Sequence, residues 1–270
     1  MTAPIRFVDL PAAHPGRRLL TGYTPSFALQ ADPRFSYSLF VPEDLGDDEP
    51  PLRLWVFVHG TGRRTVLYLD AFADLARAER AVVMTPLFPV GIGGPNDVHS
   101  YKAIDGAGVR FDEILLSMVD EVAHRWNVAG SRFFLHGFSG GGQFAHRFGL
   151  LHPGRLTAVS IGATGQITVP RSDLPWWRGV ADVRQRFGVA FDPAAFVRVP
   201  VQVVVGALDD DPAAVAPDGD AIGRLTQARM LSAALRELGS SVRLDVVAGA
   251  GHDGAAMTAA VADFLRRQSS

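Results

Sequence analysis

The strongest chemical signal is a five-residue run, Gly137-Phe138-Ser139-Gly140-Gly141. It fits G-x-S-x-G, in which a serine sits on a sharp turn between a strand and a helix. Such a turn points the hydroxyl into a cleft, and the crowded backbone demands small neighbours. The flanks suit this geometry. Arg132 to His136 (RFFLH) is strand-like, Gly137 to Gly142 reads as the turn, and helical periodicity resumes over Gln143 to Leu151. The Gly140 amide then lies at a helix N-terminus, facing any anion that forms beside Ser139. The bland alternative is an incidental serine in a glycine-rich turn, and the flanking elements argue against it.

A serine hydroxyl needs a base to remove its proton. Of the eight His, His252 is best placed, in Gly249-Ala250-Gly251-His252-Asp253-Gly254. That run follows the last strand, at the same edge of a parallel sheet as Ser139. His14, His124 and His152 fall on expected surface turns or helix faces, where solvation suffices. His136 packs against the turn, His146 points away along the helix, and His59 and His99 suit loop-shaping roles.

The imidazole needs a carboxylate to orient it. Asp209 follows the strand ending at Val205, and so lies at that edge too. It is the first of three consecutive Asp. Asp210 and Asp211, followed by Pro212, read better as turn and helix-entry residues. A calcium loop would need a paired ligand pattern that is absent. The order Ser139, Asp209, His252 is the one expected with this serine turn.

A developing oxyanion needs a second backbone donor besides Gly140. His59-Gly60-Thr61-Gly62 follows the apolar run Leu52 to Val58, and Thr61 is the candidate, with a plain strand-to-helix turn as the alternative. Phe138 and Gln143 flank Ser139 as candidate substrate contacts. Trp176 and Trp177 either close the cleft as an aromatic lid or pack their segment onto the body. Phe88, Asn96 and His99 could line one wall. No carboxylate or guanidinium stands out as a recogniser of charged substrate.

These residues need a scaffold, and the chain supplies alternating strand and helix signals. Strands are expected at Tyr37 to Val41, Leu52 to Val58, Ala81 to Thr85, Arg132 to His136, Leu156 to Ile161, Val199 to Val205 and Val242 to Val247. Helices are expected over Thr65 to Arg80, Val109 to Trp126, Gln143 to Leu151, Ala221 to Leu238 and Ala255 to Arg267. Pro86 to Tyr101 is rich in Gly and Pro and reads as a loop. This alternation means an α/β fold, a mostly parallel central sheet with helices on both faces. One stretch breaks it. Residues 165–198 hold Trp176, Trp177, Phe187, Phe191 and Phe196, and read as a cap or lid inserted into a single domain spanning 1–270.

Composition narrows the function classes. Of 270 residues 47% are apolar and 20% charged, a globular balance that can bury a sizeable core. The formal net charge of −2 and the lack of basic runs give no nucleic-acid footprint. Without cysteine there is no disulfide framework, thiolate metal site or cysteine nucleophile. Of the 26 cationic side chains all but Lys102 are Arg, a skew read as carrying no mechanistic content. No apolar run is long enough to span a bilayer, and the N-terminal MTAPIRFVDL has no apolar stretch behind a basic start, so a cytoplasmic protein is expected.

Together, HGTG after the apolar strand and GFSGGGQFAHRF at the serine turn resemble the α/β-hydrolase superfamily, over about Tyr37 to Arg267. Within it they look like esterases of the polyhydroxybutyrate-depolymerase and feruloyl-esterase-like group. The resemblance implies a triad of Ser139, Asp209 and His252, with the amides of Thr61 and Gly140 as oxyanion hole. The expected activity is hydrolysis of a small-molecule carboxylic ester through an acyl-enzyme, with no cofactor or metal. An amide or peptide hydrolase with the same triad is the alternative, and a non-catalytic binding protein on this fold is the rival from another class. A lyase or a cofactor-free perhydrolase on this fold is also open.

Overall fold

The structure is a computed structural model describing residues 5–11, 13–45, 50–214 and 222–268. Its centre is a nine-stranded sheet. The two-residue strands β1 (Gly22–Tyr23) and β2 (Phe27–Ala28) each pair antiparallel with β3 (Ser36–Val41). β3 pairs antiparallel with β5 (Ala81–Leu87). From there the sheet is parallel. β5 neighbours β4 (Arg53–Val58), followed by β8 (Phe133–Phe138), β9 (Leu156–Gly162), β10 (Val201–Gly206) and β11 (Val242–Val247). A separate small hairpin joins β6 (Asp105–Gly106) to β7 (Val109–Arg110). The continuous apolar runs of β4, β8 and β10 are buried on both faces, as central parallel strands require.

The connections explain where helices lie. The crossover from β4 through α1 (Val66–Glu79) to β5 steps one way along the sheet. The later crossovers step the other way: α2 (Phe111–Trp126) to β8, α3 (Gly140–Leu151) to β9, and α6 (Arg224–Glu237) to β11. Right-handed crossovers running in opposite directions put their helices on opposite faces. The closing helix α7 (Gly254–Arg267) packs against α1, so these two share a face. Direction reverses between β4 and β8, and the carboxyl ends of those strands open a crevice where ligands bind in open α/β sheets.

Element boundaries depart from expectation where tertiary contacts decide. β8 runs through Gly137 to Phe138, and α3 starts at Gly140, so the broad turn expected over Gly137 to Gly142 shrinks to Ser139. Three successive glycines have poor helix propensity, but contact with the sheet overrides it. β5 continues through Pro86 to Leu87, because past Met84 only β3 pairs with it. α6 begins at Arg224, and the expected start at Ala221 lies outside the described residues. Between β9 and β10 lie two short helices, α4 (Val183–Phe187) and α5 (Pro193–Phe196). Among the described residues no helix is long and apolar enough to cross a membrane. His152 is not a solvated surface group: its Nε2 meets the fully buried Asp112 at 2.7 Å, beside Arg110.

Three buried histidines tie loops and strands together. His59 donates from Nδ1 to the Gly60 carbonyl (2.8 Å), and its Nε2 accepts from the Phe88 amide (3.0 Å). His146 donates from Nδ1 to the Gly142 carbonyl, and its Nε2 accepts from the Thr168 amide (2.9 Å). Protonation would set an N–H against an amide N–H in both cases. His136 donates to Ser160 Oγ, which donates to Gln202 Oε1 (2.6 Å). Burial pushes His59 down to about 4, and His136 and His146 to about 3. The unfolded chain takes up these protons near the ordinary 6.5 and the folded chain does not. Stability is therefore full above about pH 6.5 and falls as pH drops toward 4. Each group contributes a slope of up to about 1.4 kcal/mol per pH unit. Thermal unfolding between pH 7.5 and pH 4 should show that decline, and a flat midpoint would contradict it.

Candidate active site

Ser139 is the single residue between β8 and α3, and its backbone is forced to φ 58°, ψ −116°. A non-glycine residue held there stores about 1–3 kcal/mol of strain. The surroundings hold it in place. The Ser139 amide donates to the Gly162 carbonyl at the end of β9 (2.8 Å). A β-carbon on Gly141 would stand 2.1 Å from the Val58 carbonyl oxygen, so α3 rests directly on the end of β4.

The ends of β10 and β11 bring up two further side chains. Gly206 touches the Ala250 and Gly251 carbonyls so closely that a β-carbon would lie 2.4 Å from each. This draws the Asp209 turn against the 249–252 loop, where the Leu208 amide donates to Ala250 O (2.8 Å). His252 Nδ1 then lies 2.6 Å from Asp209 Oδ2, and Nε2 lies 3.0 Å from Ser139 Oγ. With the Nδ1 proton held by the carboxylate, Nε2 is left to accept from the serine hydroxyl. Arg224, the first residue of α6, donates to the other Asp209 oxygen at 3.1 Å. The neighbouring aspartates are used differently. Asp210 accepts from the Thr226 amide and hydroxyl, and Asp211 from the Ala213 amide. Phe138 does not line the cleft. It is buried behind His252, with ring centroids 4.8 Å apart, and backs the imidazole.

Thr61 faces the start of α3. Its Oγ1 lies 3.2 Å from where a Gly140 β-carbon would be. Gly140 opens the helix, so its amide has no carbonyl one turn back to bond. Three groups brace the Thr61 turn: His59 beneath it, Tyr101 donating to His59 O (3.2 Å), and Arg63. The Arg63 guanidinium spans Thr61 O, Phe88 O and Val98 O.

Ser139 opens into a cavity of about 490 Å³. Gln143, Thr61 and His99 line it, and so does Trp177; Trp176 does not. The Trp176 ring packs edge-on against Phe187 and donates to Ala103 O (3.0 Å), fastening its segment to the body. Of the pair, Trp176 thus packs its segment onto the body, and Trp177 lines the cavity. Phe88 is buried behind His59 and Tyr101, away from the cavity. Sequence reasoning missed the charge of this cleft. Lys102, Arg147 and Arg224 all line it, against the expectation that no guanidinium stands out and that the Lys102 skew is empty of meaning. The available signals were the lone Lys and the position of Arg147 two turns beyond Ser139 on one helix. Burial pushes Lys102 down to about 8, and repulsion from Arg63, Arg147 and Arg224 adds to it. Burial also lowers Arg147 to about 9. Among the described residues no group of three or more His, Asp or Glu is placed to hold a metal ion.

No protein-family model matches the sequence, and no curated protein matches it. Solved structures match over most of its length. Poly(aspartic acid) hydrolase-1 from Sphingomonas sp. KT-1 superposes with a TM-score of 0.71 at 19% identity, over 91% of this chain and 99% of that one. A poly(3-hydroxybutyrate) depolymerase from Bordetella parapertussis gives 0.67 at 22% identity, over 86% and 83%. An S-formylglutathione hydrolase from Staphylococcus aureus gives 0.64 at 16% identity, over 92% and 99%. The fold is that of the α/β-hydrolases.

The serine turn of this α/β-hydrolase fold depends on bare backbone contact, which a methyl group tests. Gly141→Ala would drive a β-carbon into the Val58 carbonyl, and neither element can move freely. Urea denaturation should show a loss of about 3 kcal/mol or more. Gly154→Ala, with nothing within 4 Å of the added carbon, should stay within about 0.5 kcal/mol of the parent. Equal effects in the two variants would refute the contact argument.

Proposed function

We propose that the protein is a serine hydrolase that cleaves carboxylic esters through an acyl-enzyme. The observation that carries this is the hydrogen-bonded chain that runs from Ser139, which lines the cavity, through His252 to Asp209. In this reading His252 Nε2 takes the Ser139 proton as Oγ attacks the ester carbonyl carbon. The carbonyl oxygen becomes an anion facing the amides of Thr61 and Gly140, where α3 also presents the positive end of its dipole. His252 hands the proton to the departing alcohol. Water then enters, gives a proton to His252 and attacks the acyl carbon, and collapse frees the acid and restores Ser139. Asp209 keeps the Nδ1 proton in place and stabilises the imidazolium, and Arg224 fixes the carboxylate. No cofactor or metal takes part in this scheme. Residues 165–198 serve as a cap within a single domain, with Trp177 as its contact to substrate.

Structural neighbours named as an esterase, a ferulic acid esterase and a depolymerase support ester chemistry. A second reading, amide hydrolysis by the same groups, draws support from the neighbour named as a poly(aspartic acid) hydrolase, whose polymer is joined by amide bonds.

Hydrolysis of p-nitrophenyl esters from acetate to decanoate tests the first reading. Ser139→Ala should fall to background, and Asp209→Asn should lose on the order of 10⁴-fold in kcat, since the wrong imidazole tautomer would face the serine. Turnover of p-nitroanilides but not esters would favour the amide reading. Unchanged turnover in Ser139→Ala would sink both.

A further inference from the structure

The cleft carries more positive charge than acid–base chemistry needs. Its lining holds Lys102, Arg147 and Arg224 and, among the described residues, no Asp or Glu. Arg224 is engaged with Asp209. The other two have no such partner: among the described residues no carboxylate forms an ion pair with Lys102 or Arg147. Lys102 Nζ meets the neutral Nδ1 of His99 at 2.7 Å. Among the described residues Arg147 bonds only neutral oxygens. Its Nε donates to Thr168 Oγ1 (3.0 Å), its Nη1 to Lys102 O, and its Nη2 reaches Gln166 O only at 3.5 Å.

Both groups are also deeply placed. Arg147 is 2% exposed and Lys102 8%. A cation buried without a counter-charge is costly, and an arriving anion relieves that cost. The fall in both pKa values has the same source, because no acidic neighbour offsets burial at either group. Structural duty alone does not account for the pair. The carbonyls that Arg147 bridges could be held by neutral amides, and Lys102 holds no backbone group through its ammonium. Lys102 is also the one position where this arginine-rich chain uses lysine. Its stem passes tightly over Gly140, with Cε 2.7 Å from where a β-carbon would stand. A slender chain ending in a compact point charge suits that space better than a planar guanidinium.

We propose that the cleft selects substrates bearing a carboxylate, which is held between Lys102 and Arg147 while the scissile carbonyl lies at Ser139. This rests on the ester-hydrolase reading. The carboxylate makes charge-assisted hydrogen bonds to Nζ and to the Arg147 Nη2 edge, beneath the Trp177 ring that lies 5.5 Å from the Arg147 guanidinium carbon. The remainder of the lining (Thr61, Gln143, Gln166) is neutral and adds no repulsion.

Two matched ester pairs test this. Monomethyl glutarate against methyl pentanoate places the charge on the acyl side, followed by pH-stat. 4-Acetoxybenzoate against its methyl ester places it on the leaving group, followed by absorbance. One pair should show a preference of about ten-fold or more in kcat/KM for the anionic member. That preference should collapse in Lys102→Met and in Arg147→Met. Arg147 also braces several loops, so Lys102→Met, of similar length and shape, keeps the test sound if the arginine variant does not fold. A parallel titration of glutarate into Ser139→Ala by calorimetry should show binding that Lys102→Met removes and that glutaramide does not reproduce. Ser139-dependent cleavage of the neutral esters with no anionic preference in either pair would overturn the proposal and leave the esterase reading standing. Glutarate binding that depends on Lys102, with no ester cleaved, would retain the anion site and overturn the esterase reading. No glutarate binding together with no preference would also overturn the proposal.

Discussion

The carbonyl oxygen of Val58 occupies the space that a β-carbon on Gly141 would need, and the site hangs on that contact. It sets the distance between β4 and α3 at the place where the sheet reverses its winding. Beside it Ser139 is held at a strained φ of 58°, and its amide donates to Gly162 O. The turn after β4 sets Thr61 opposite Gly140. The strain at the serine is small beside the burial of the surrounding apolar side chains, among them Val56, Val58, Leu135 and Phe144, all fully inaccessible to solvent. Folding can therefore carry it.

Strand ends were the legible part of this chain. Continuous β-branched and aromatic runs are buried on both sheet faces, so β4, β8 and β10 announced themselves, and glycine-rich or aspartate-rich runs after them marked the functional edge. Ser139, Asp209 and His252 were readable as three strand-end residues, and the folded chain places them within hydrogen-bond distance in sequence. What could not be read depends on side chains reaching across the fold. Arg147 looks like one more polar residue of an amphipathic helix until Lys102 O and Thr168 Oγ1 arrive from distant segments. Phe138, adjacent to Ser139 in sequence, is turned behind His252 by strand alternation. The small strands β1, β2, β6 and β7 hold two residues each, too few for periodicity to register.

Polar groups in the interior do a job that apolar contacts do not. His59, His146 and His136 each satisfy backbone or side-chain partners at fixed positions, and a shift of one residue in register would strand them without water. Two of these, His59 and His146, hold the loops bordering the cleft, at Phe88 and Thr168. Loop geometry around Ser139 is thus specified by directional bonds, while the sheet below is specified by burial.

Thr168 joins two parts of the molecule that otherwise have separate attachments. Its amide is held by His146, its hydroxyl receives Arg147 Nε, and that hydroxyl donates to the Trp177 carbonyl. The Trp177 side of the cleft is thus slung from α3, whereas the imidazole and its carboxylate are slung from the ends of β10 and β11. A lineage could rewrite the 170s, exchanging one ring or loop length for another, and leave the Ser139–His252–Asp209 hydrogen bonds untouched as long as Thr168 keeps its three bonds. Variation in the lining of the cavity is uncoupled from preservation of the hydrogen-bonded chain beside it, and one threonine marks the seam between them.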